Sequence, residues 1–425
     1  MKKKFLSILF LTLVSTVSLS GCGKEKEEQQ QPEEEIKYDY TYFNGICALS
    51  GEFNNGVDYA LTNEWTKQKV QALQAKSARI WIAMSGLFDV KEDNELSVNL
   101  KYKTIMEDHV NKLKEAGVKN YLVMYTAYVY PYGYIPSTGY VVPDPNEEYE
   151  QYLQFLDLQA KASKKMKEMF PDLNNFEPAN EPDFACPGCI HKNGFIYGGG
   201  MSVNFNNIFN DDDKVSIILD MCWYIRKAVQ EVDPNAKVVF PGLTNQDTVP
   251  DFVDLVYKKI ESKTLPVNQE KSDTNPDHYF DVLNWHPYPV KLESNGDVKW
   301  DEWISFNQSV YDVVKAHKDN GKPVYFSEIG WTDWGSRNEA DLNRIANNYT
   351  TAIKTIKEQM PYVTAIFPFR LTNLIHQQLD QTGGEENFGL FYHPDDPLTP
   401  AQPKPAAYAV AKAFNGEDYN LDEHL

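Results

Sequence analysis

The feature of this sequence that most constrains its fold is a regular alternation of short apolar runs with long amphipathic stretches. Eight apolar runs have the length and composition of β-strands: Gly45–Ser50, Ala78–Met84, Asn120–Tyr125, Asn175–Ala179, Lys237–Pro241, Val282–Trp285, Val324–Ser327 and Ala365–Phe369. Seven stretches have apolar residues near helical spacing: Lys101–Ala116, Glu147–Met169, Lys214–Val232, Val249–Ser262, Glu302–Asp319, Glu339–Met360 and Lys404–Phe414. Such alternation predicts an α/β protein whose parallel strands are joined by helices.

The number of units selects among parallel sheets. Eight strands over about 370 residues predict a closed (β/α)8 barrel, or TIM barrel, with long loops after the strands. A doubly wound open sheet is the alternative, but it normally carries a glycine-rich phosphate turn, and the sequence has no G-x-G-x-x-G or Walker motif. The triplet Gly198-Gly199-Gly200 follows no predicted strand and is interpreted as a loop tip. We expect residues 38–425 to form this single domain.

The composition narrows the possible partners. Hydrophobic residues make up 42% of the chain and charged residues 24%, which excludes disorder of the whole chain. The formal net charge of −20 repels phosphate backbones, so we expect no nucleic-acid partner. Aromatic residues reach 13%, a surplus that lines a binding groove in some proteins and packs a large core in others.

The N-terminus has the features of a secretory signal peptide. Three lysines precede the apolar run Phe5–Val17, which is too short to remain as a membrane-spanning helix. The next segment, Leu19-Ser20-Gly21-Cys22, resembles the lipobox of bacterial lipoproteins, and the resemblance implies cleavage before Cys22 and lipidation of its thiol. An ordinary secretory leader with a coincidental cysteine is the alternative.

We therefore expect a lipoprotein signal peptide over residues 1–21 and a lipid-anchored protein on the extracytoplasmic face of the cell membrane. Residues 22–37 are rich in glutamate, glutamine and lysine and predict a disordered acidic tether. In that oxidising compartment, Cys186 and Cys189 of a C-x-x-C motif are interpreted as a disulfide that staples a loop, with a redox motif or half of a zinc site as alternatives. Cys47 and Cys222 lie in apolar contexts and are predicted to be buried thiols.

The strand ends carry the candidate chemistry, since reactive residues of TIM barrels cluster at the carboxyl ends of the strands. The fourth predicted strand runs into Asn180-Glu181-Pro182, and the seventh into Glu328-Ile329-Gly330-Trp331. Glycoside hydrolysis requires two carboxyl groups, of which one carries a proton for the leaving oxygen while the other stays ionised. Glu177, four residues before Glu181, is either a supporting acid inside the barrel or a structural residue.

These motifs resemble those of glycoside hydrolase clan A, the retaining (β/α)8 enzymes that include cellulase-like, mannanase-like and xylosidase-like families. By this resemblance, Glu181 of the N-E-P motif is the general acid/base, and Asn180 contacts the sugar 2-hydroxyl. Glu328 of the E-x-G-W motif is implied to be the nucleophile, with Trp331 beside it at the substrate.

Further motifs extend the resemblance over nearly the whole predicted barrel. His286 and Tyr288 match the H-x-Y that follows the sixth strand, and the tyrosine is implied to hydrogen-bond the nucleophile. Arg79 is similar to the second-strand arginine that orients the nucleophile, although a salt bridge outside the barrel is an alternative. Segments like the closing F-G-L and K-P-x-x-Y of the clan occur at Asn387–Leu390 and Pro403–Tyr408.

One departure concerns the floor of the sugar site. Clan members usually carry a tryptophan at the end of the eighth strand, whereas this sequence reads Phe367-Pro368-Phe369-Arg370. We expect Phe369 to take the stacking role, with Arg370 reaching a charged sugar as the alternative. Aromatic residues after the third and seventh strands are further candidates for stacking on sugar: Tyr125, Tyr128, Tyr130, Tyr132, Tyr134, Tyr140, Trp331 and Trp334.

The sequence thus predicts a monomeric, retaining β-glycoside hydrolase with a carbohydrate substrate and no required cofactor or metal. The retaining mechanism implies carboxyl groups about 5–5.5 Å apart. Arg79 and Tyr288 are expected to lower the pKa of Glu328, and burial is expected to raise that of Glu181. The alternatives are a non-catalytic glycan-binding lipoprotein on a degraded hydrolase barrel and a two-lobed solute-binding lipoprotein.

Overall fold

Eight parallel strands form the centre of the molecule, as described by a computed structural model. The strands are β1 Gly45–Cys47, β2 Ser77–Ala83, β3 Asn120–Ala127, β4 Asn175–Glu177, β5 Lys237–Val238, β6 Leu283–Asn284, β7 Val324–Ile329 and β8 Val363–Pro368. A long helix follows each strand: α1 Tyr59–Leu73, α2 Leu100–Glu115, α3 Tyr149–Met169, α4 Asp211–Val232, α5 Val249–Ser262, α6 Trp300–Ala316, α7 Glu339–Gln359 and α8 Pro405–Asn415.

The description covers residues 36–48, 59–134, 142–183, 210–244, 248–263, 265, 274–289, 291–293, 297–373, 387–394, 396 and 398–425. Residues Tyr38–Leu425 form one compact unit. The predicted signal peptide, Cys22, most of the tether, the glycine triplet at 198–200 and the C-x-x-C of Cys186 and Cys189 lie outside the described residues. Among the described helices, none has the length and apolar character required to cross a membrane.

Strand pairing closes the sheet into a barrel. Strands β1 to β5 pair in chain order, and β6, β7 and β8 form a second parallel group. Single parallel bridges join the two groups, from Val239 to Val282 on one side and from Asn44 to Ile366 on the other. The predicted (β/α)8 barrel is therefore confirmed, and the carboxyl ends of all eight strands meet at one end.

Two apolar clusters hold this arrangement. The smaller cluster draws on strands around the ring and fills the barrel interior: Cys47, Leu122, Val239, Val282, Tyr325, Ala365, Phe367 and Phe369. The larger cluster packs the helices against the outside of the strands. Arg79 on β2 and Glu177 on β4 are charged side chains that are nevertheless fully buried. Because an unpaired buried charge is very unfavourable, these residues must be partners of other buried groups.

Local sequence signals explain where several helices begin. Asn99, Asn210 and Asn338 each precede a helix and accept a hydrogen bond from a backbone N–H of its first turn. This is the standard N-cap interaction, which satisfies one of the free donors at a helix start. Helix α4 adds three aspartates in its first turn, where negative charge is favourable.

Two of the elements that were not predicted from the sequence have a clear physical reason. Helix α1 lacks a clear apolar stripe because part of its buried face is polar. Asn63 on α1 donates to Asp108 at 2.7 Å and lies 3.1 Å from the Nδ1 of the buried His109, so this face packs on α2 through hydrogen bonds. The second element is an antiparallel hairpin, Phe88–Val90 with Leu96–Val98, whose strands are too short to give a periodic signal.

Candidate active site

Glu181 and Glu328 converge at the carboxyl end of the barrel. One carboxylate oxygen of each glutamate and one ring nitrogen of His286 all lie within 4.8 Å of one another. Glu181 is 8% exposed and Glu328 is 5% exposed, so both carboxyl groups are largely withdrawn from water. The backbone of Glu181 has a φ of 47°. Its N–H donates to the carbonyl of Gly242 at 2.8 Å, which fixes the position of the residue.

Glu328 is surrounded by donors. The Arg79 guanidinium donates from Nη1 to Oε1, and the Tyr288 hydroxyl donates to Oε2 at 2.8 Å. Burial raises the pKa of Glu328, but the charges of His286 and Arg79 and the hydrogen bond from Tyr288 outweigh burial, and the pKa lies below its ordinary value. The predicted lowering of the pKa by Arg79 and Tyr288 agrees with this geometry, and Glu328 is ionised at neutral pH.

Arg79 links the two ends of this network inside the barrel, and not on its exterior. Its Nε and Nη2 donate to the two carboxylate oxygens of Glu177 at 2.8 and 3.0 Å, and Nη2 also donates to Asn180 Oδ1 at 2.6 Å. The neighbouring carboxylates hold the pKa of Arg79 well above its ordinary value in spite of burial. The guanidinium is thereby fixed in the orientation that meets Glu328.

Glu177 is a supporting residue whose role the sequence left open. Besides Arg79, its Oε1 accepts hydrogen bonds from the backbone N–H of Gly242 and from Asn284 Nδ2, both at 3.0 Å. The Oδ1 of Asn284 accepts from the N–H of Ser327 at 3.2 Å. Asn284 was missed as a site residue, because only its contacts reveal that β4, β6 and β7 are tied together beneath the glutamates.

His286 connects the acid side of the site to β7. Its Nδ1 lies 2.8 Å from Glu181 Oε1, and its Nε2 lies 2.9 Å from Ser327 Oγ. Burial lowers the pKa of His286, but the charge of Glu328 and the hydrogen bond and charge of Glu181 outweigh burial, and the pKa lies above its ordinary value. A Cβ at Gly242 would lie 2.2 Å from His286 Nε2, so glycine leaves the space that the ring occupies.

The glutamates open into a cavity of about 460 Å³ with aromatic walls. Trp81, Trp331, Trp334, Phe369 and Phe388 are among its lining residues. The rings of Trp81 and Phe369 are stacked with centroids 6.4 Å apart, which places Phe369 on the wall expected of it. The volume is within the range of about 300–1,000 Å³ of small-molecule sites.

Trp81 was missed by the sequence reading, although a signal for it was available. It lies two residues after Arg79 on β2, and alternate residues of a strand point to the same face. The indole Nε1 atoms of Trp81 and Trp331 are buried and have no hydrogen-bond partner among the described residues. Two aromatic walls of the cavity therefore carry unused donors.

The C-terminal segment completes one side of the site. Lys404 donates to Asp333 Oδ2 at 2.9 Å and to the carbonyl of Asn387 at 3.0 Å, and both charged side chains are buried. The Phe388 ring meets the Tyr288 ring edge to face at 5.9 Å. These contacts join the C-terminal segment to Asp333, which follows β7, and to Tyr288 beside Glu328.

Several aromatic and basic candidates lie elsewhere. Tyr125 and Tyr128 are fully buried: the Tyr125 hydroxyl shares a hydrogen bond with Ser163 Oγ, and the Tyr128 hydroxyl donates to the carbonyl of Pro178. Neither they nor the other described members of the tyrosine series line this cavity. Tyr140 lies outside the described residues. Arg370, given as the alternative to Phe369, is 4% exposed and is absent from the described cavity wall, so this geometry does not support a charged-sugar contact there.

The described cysteines are structural. Cys47 and Cys222 are both buried and free, as predicted. Cys47 lies beneath the site, with Sγ 3.3 Å from the carbonyl of Ser327. Burial raises the pKa of both thiols far above the ordinary value, which keeps them protonated.

Glu181, His286 and Glu328 are also, within the described ranges, the group whose ligand atoms converge closely enough to hold a metal ion. Both carboxylate oxygens of Glu328 already accept hydrogen bonds, one of them from the cationic Arg79. A divalent cation would have to replace these donors next to a guanidinium. The donor set therefore favours acid/base and nucleophilic chemistry over metal binding.

Solved structures show which proteins share this fold. A family 39 glycoside hydrolase from Bacteroides cellulosilyticus WH2 matches with 16% identity and a TM-score of 0.53, over 87% of this chain and 62% of that one. A β-glucosidase from Thermotoga maritima matches with 15% identity and a TM-score of 0.55, over 90% and 100% of the two chains. A family 5 subfamily 18 enzyme from Bifidobacterium longum, in complex with Manβ1-4GlcNAc, matches with 11% identity and a TM-score of 0.57, over 88% and 78%.

These three are glycoside hydrolases of clan A, the group indicated by the sequence motifs, and the chain has their (β/α)8 fold. The chain spans 62% of the length of the family 39 enzyme. No family model and no curated protein matches the sequence. At these identities the likeness establishes the fold, and the activity must be argued from the site.

Proposed function

We propose that this protein is a retaining glycoside hydrolase that cleaves β-linked glycosidic bonds in a polysaccharide or its oligosaccharides. The observation that carries the proposal is the approach of the Glu181 and Glu328 oxygens to within 4.8 Å at the floor of an aromatic cavity. Retaining enzymes have carboxyl groups about 5–5.5 Å apart, whereas inverting enzymes leave about 6.5–9.5 Å for a water molecule. The short separation supports double displacement.

In the first step, Glu328 attacks the anomeric carbon while Glu181 donates its proton to the leaving glycosidic oxygen. The bond from the anomeric carbon to that oxygen breaks, and a glycosyl ester to Glu328 forms through an oxocarbenium-like transition state. In the second step, Glu181 takes a proton from water, the water oxygen attacks the anomeric carbon, and the ester bond breaks. The sugar leaves with its configuration retained, and both glutamates return to their starting states.

The assignment of roles follows from the partners of each carboxyl group. Arg79 and Tyr288 stabilise the anionic form of Glu328, which is the form required of a nucleophile. Burial raises the pKa of the Tyr288 phenol well above its ordinary value, and the charge of Glu328 raises it further, so Tyr288 remains a donor. Glu181 faces the imidazole of His286 instead, with 2.8 Å between Oε1 and Nδ1.

The cavity walls suit a carbohydrate. Trp81, Trp331 and Phe369 offer flat apolar faces for the C–H faces of a pyranose, while the buried polar groups at the floor suit its hydroxyls. One of the structural neighbours was solved with the disaccharide Manβ1-4GlcNAc, which supports a carbohydrate ligand for this chain as well. We assign Asn180, which lines the same cavity, to the sugar hydroxyl next to the anomeric carbon.

We further propose that the enzyme is a monomeric lipoprotein anchored through Cys22 at the extracytoplasmic face of the membrane. The support is the N-terminal sequence, with its basic start, short apolar run and lipobox-like ending. Metabolic labelling with a fatty-acid analogue tests this, since a Cys22→Ser variant is expected to lose the label and to leave the membrane fraction.

The activity is tested with aryl β-glycosides and plant-wall polysaccharides, followed by proton NMR of the first product released. We expect hydrolysis with the β-anomer formed first. An α-anomer formed first would contradict double displacement. Binding of glycans with no hydrolysis of any substrate would instead support the alternative of a glycan-binding lipoprotein.

A further inference from the structure

A second cavity of about 660 Å³ adjoins the catalytic cavity. One wall is a face of α7, and the other is the segment around Glu293 and Asp297, which follows β6 and leads into α6. Leu292 and Val298 form an antiparallel bridge in that segment, so this wall has a defined backbone. We call this second cavity the distal groove.

The face of α7 in the distal groove is polar. Asn343, Asn347 and Thr351 recur every four residues along the helix, and with the adjacent Arg344 and Asn348 they line the groove together. The opposite face of α7 is buried and apolar, as is usual for a barrel helix. Primary amides both donate and accept hydrogen bonds, as sugar hydroxyls do, so this face has the chemistry of a carbohydrate site.

Asn348 is the most buried of these polar residues, at 7% exposed. Its amide can donate and accept hydrogen bonds in the groove that it lines. In the wall of the catalytic cavity, the indole Nε1 of Trp331 is a buried donor without a partner among the described residues.

The two cavities share part of their walls. Arg344 and Asn348 line both of them. The ring of Trp300, which lines the distal groove, lies 6.4 Å from the ring of Trp331, which lines the catalytic cavity. A linear chain that occupies the catalytic cavity therefore has a path along α7 into the groove.

We propose that the distal groove binds sugar units of an uncharged oligosaccharide whose scissile bond lies between Glu181 and Glu328. This inference rests on the proposed function, because it extends the same site to a longer substrate. The Arg344 guanidinium is paired with Asp341 at 2.7 Å, and Glu293 and Asp297 face it across the groove. These carboxylates, together with the net charge of −20, disfavour a uronate-containing chain.

The test measures dissociation constants by calorimetry in a Glu328→Gln background, so that turnover does not consume the ligand. The probes are xylo-, cello- and manno-hexaose, the corresponding disaccharides, and an oligogalacturonide as the charged chain. We expect one neutral hexaose to bind more tightly than its disaccharide. Adding Asn347→Ala is expected to weaken binding of that hexaose about 5- to 10-fold, the effect of one or two lost hydrogen bonds.

Two variants serve as controls. Gln359→Ala also removes an amide from an exposed position on α7, but outside both cavities, and is expected to leave hexaose binding unchanged. Asn348→Ala removes an amide that lines both cavities, so we expect weaker hexaose binding without a lower melting temperature. A residue that only supported the fold would lower the melting temperature instead.

The outcomes separate this inference from the proposed function. Equal affinity for hexaose and disaccharide, or no effect of Asn347→Ala, would contradict sugar binding in the distal groove. Hydrolysis of aryl glycosides by the wild type would still support the proposed function. Preference for the oligogalacturonide would overturn the uncharged substrate class. Tight, Asn347-dependent hexaose binding by a wild type without hydrolytic activity would support sugar binding in the distal groove and contradict the proposed hydrolase function.

Discussion

The carboxyl ends of β7 and β4 both present a buried glutamate to the same cavity, yet the two residues have different partners. Glu328 on β7 receives donors from a guanidinium and a phenol, whereas Glu181 after β4 meets the imidazole of His286. Similar burial combined with different partners shows that the proposed roles of nucleophile and acid rest on charge placement and not on solvent exposure.

The largest loss of activity is expected from a change of Glu328 on β7. Glu328→Gln removes the attacking oxygen anion, so no glycosyl ester forms, and we expect kcat/KM to fall by more than about 10⁴-fold. Steady-state kinetics on an aryl glycoside measures this. Glu302→Gln, an exposed glutamate on α6, is the control and is expected to behave like the wild type. A loss at Glu328 of less than tenfold would remove it from the nucleophile's role.

The matching change after β4 is expected to depend on the leaving group. Glu181→Gln removes the proton donor, which is worth about 10²–10⁴-fold for a leaving group that requires protonation. A dinitrophenyl leaving group does not require the proton, so the loss in glycosylation is expected to be much smaller. A plot of kcat/KM against leaving-group pKa checks this, and an equal loss for every leaving group would contradict the acid assignment.

Arg79 is expected to act on stability as well as on activity. Arg79→Met leaves the buried carboxylates of Glu177 and Glu328 without their cation, and breaking a buried pair in this way costs about 3–5 kcal/mol in the free energy of unfolding. Denaturant unfolding measures the loss. Arg226→Met, which removes a half-buried pair with Asp281 on the outside of the barrel, is the control and is expected to cost about 1 kcal/mol or less. Equal costs would show that the network is not stabilising.

The smallest predicted effect tests the pKa difference directly. Tyr288→Phe removes the hydrogen bond to Glu328, and we expect kcat to fall about tenfold, the effect of one charge-assisted hydrogen bond. Because the pKa of Glu328 lies below its ordinary value, activity persists as the pH falls until Glu328 is protonated. Loss of the Tyr288 hydrogen bond raises that pKa, so the acid limb of the pH–rate profile of Tyr288→Phe is expected to move to higher pH.

The same change has a signed effect on stability. The pKa of Glu328 is lower in the folded than in the unfolded state, so its ionisation stabilises the fold at a pH above the unfolded-state pKa. This stabilisation is lost as the pH falls through the folded-state pKa. Tyr288→Phe is expected to reduce it. Tyr152→Phe is the matched control, because it removes a buried bond of 2.9 Å from a tyrosine to Asp220 far from the glutamates. An acid limb that stayed in place in Tyr288→Phe would contradict the role of the phenol.

The sequence predicted the parts of this molecule that are encoded locally. Apolar runs of strand length located all eight barrel strands, and helix α5 begins and ends where its periodicity indicated, at Val249 and Ser262. Short motifs at the strand ends also selected residues that meet in space, since the carboxyl ends of parallel strands necessarily face one end of the barrel.

The remainder depends on contacts between distant residues. Glu177 forms hydrogen bonds to Arg79, Gly242 and Asn284 that join three strands, and no local sequence pattern predicts them. Helix α1 was not predicted because hydrogen bonds of Asn63 replace apolar packing on part of its buried face. The tyrosines after the third predicted strand were candidates for contacting sugar, but composition alone does not distinguish a ring in a cavity wall from one packed between the strands and the helices.

The covalent intermediate provides the most direct test of the central claim. A fluorosugar inactivator with a good leaving group slows release of the glycosyl ester, so the labelled peptide can be identified by mass spectrometry after proteolysis. We predict a single label on the peptide that contains Glu328, with none in the Glu328→Gln variant. A label on Glu181, or rapid hydrolysis of substrate with no trapped ester, would contradict the account.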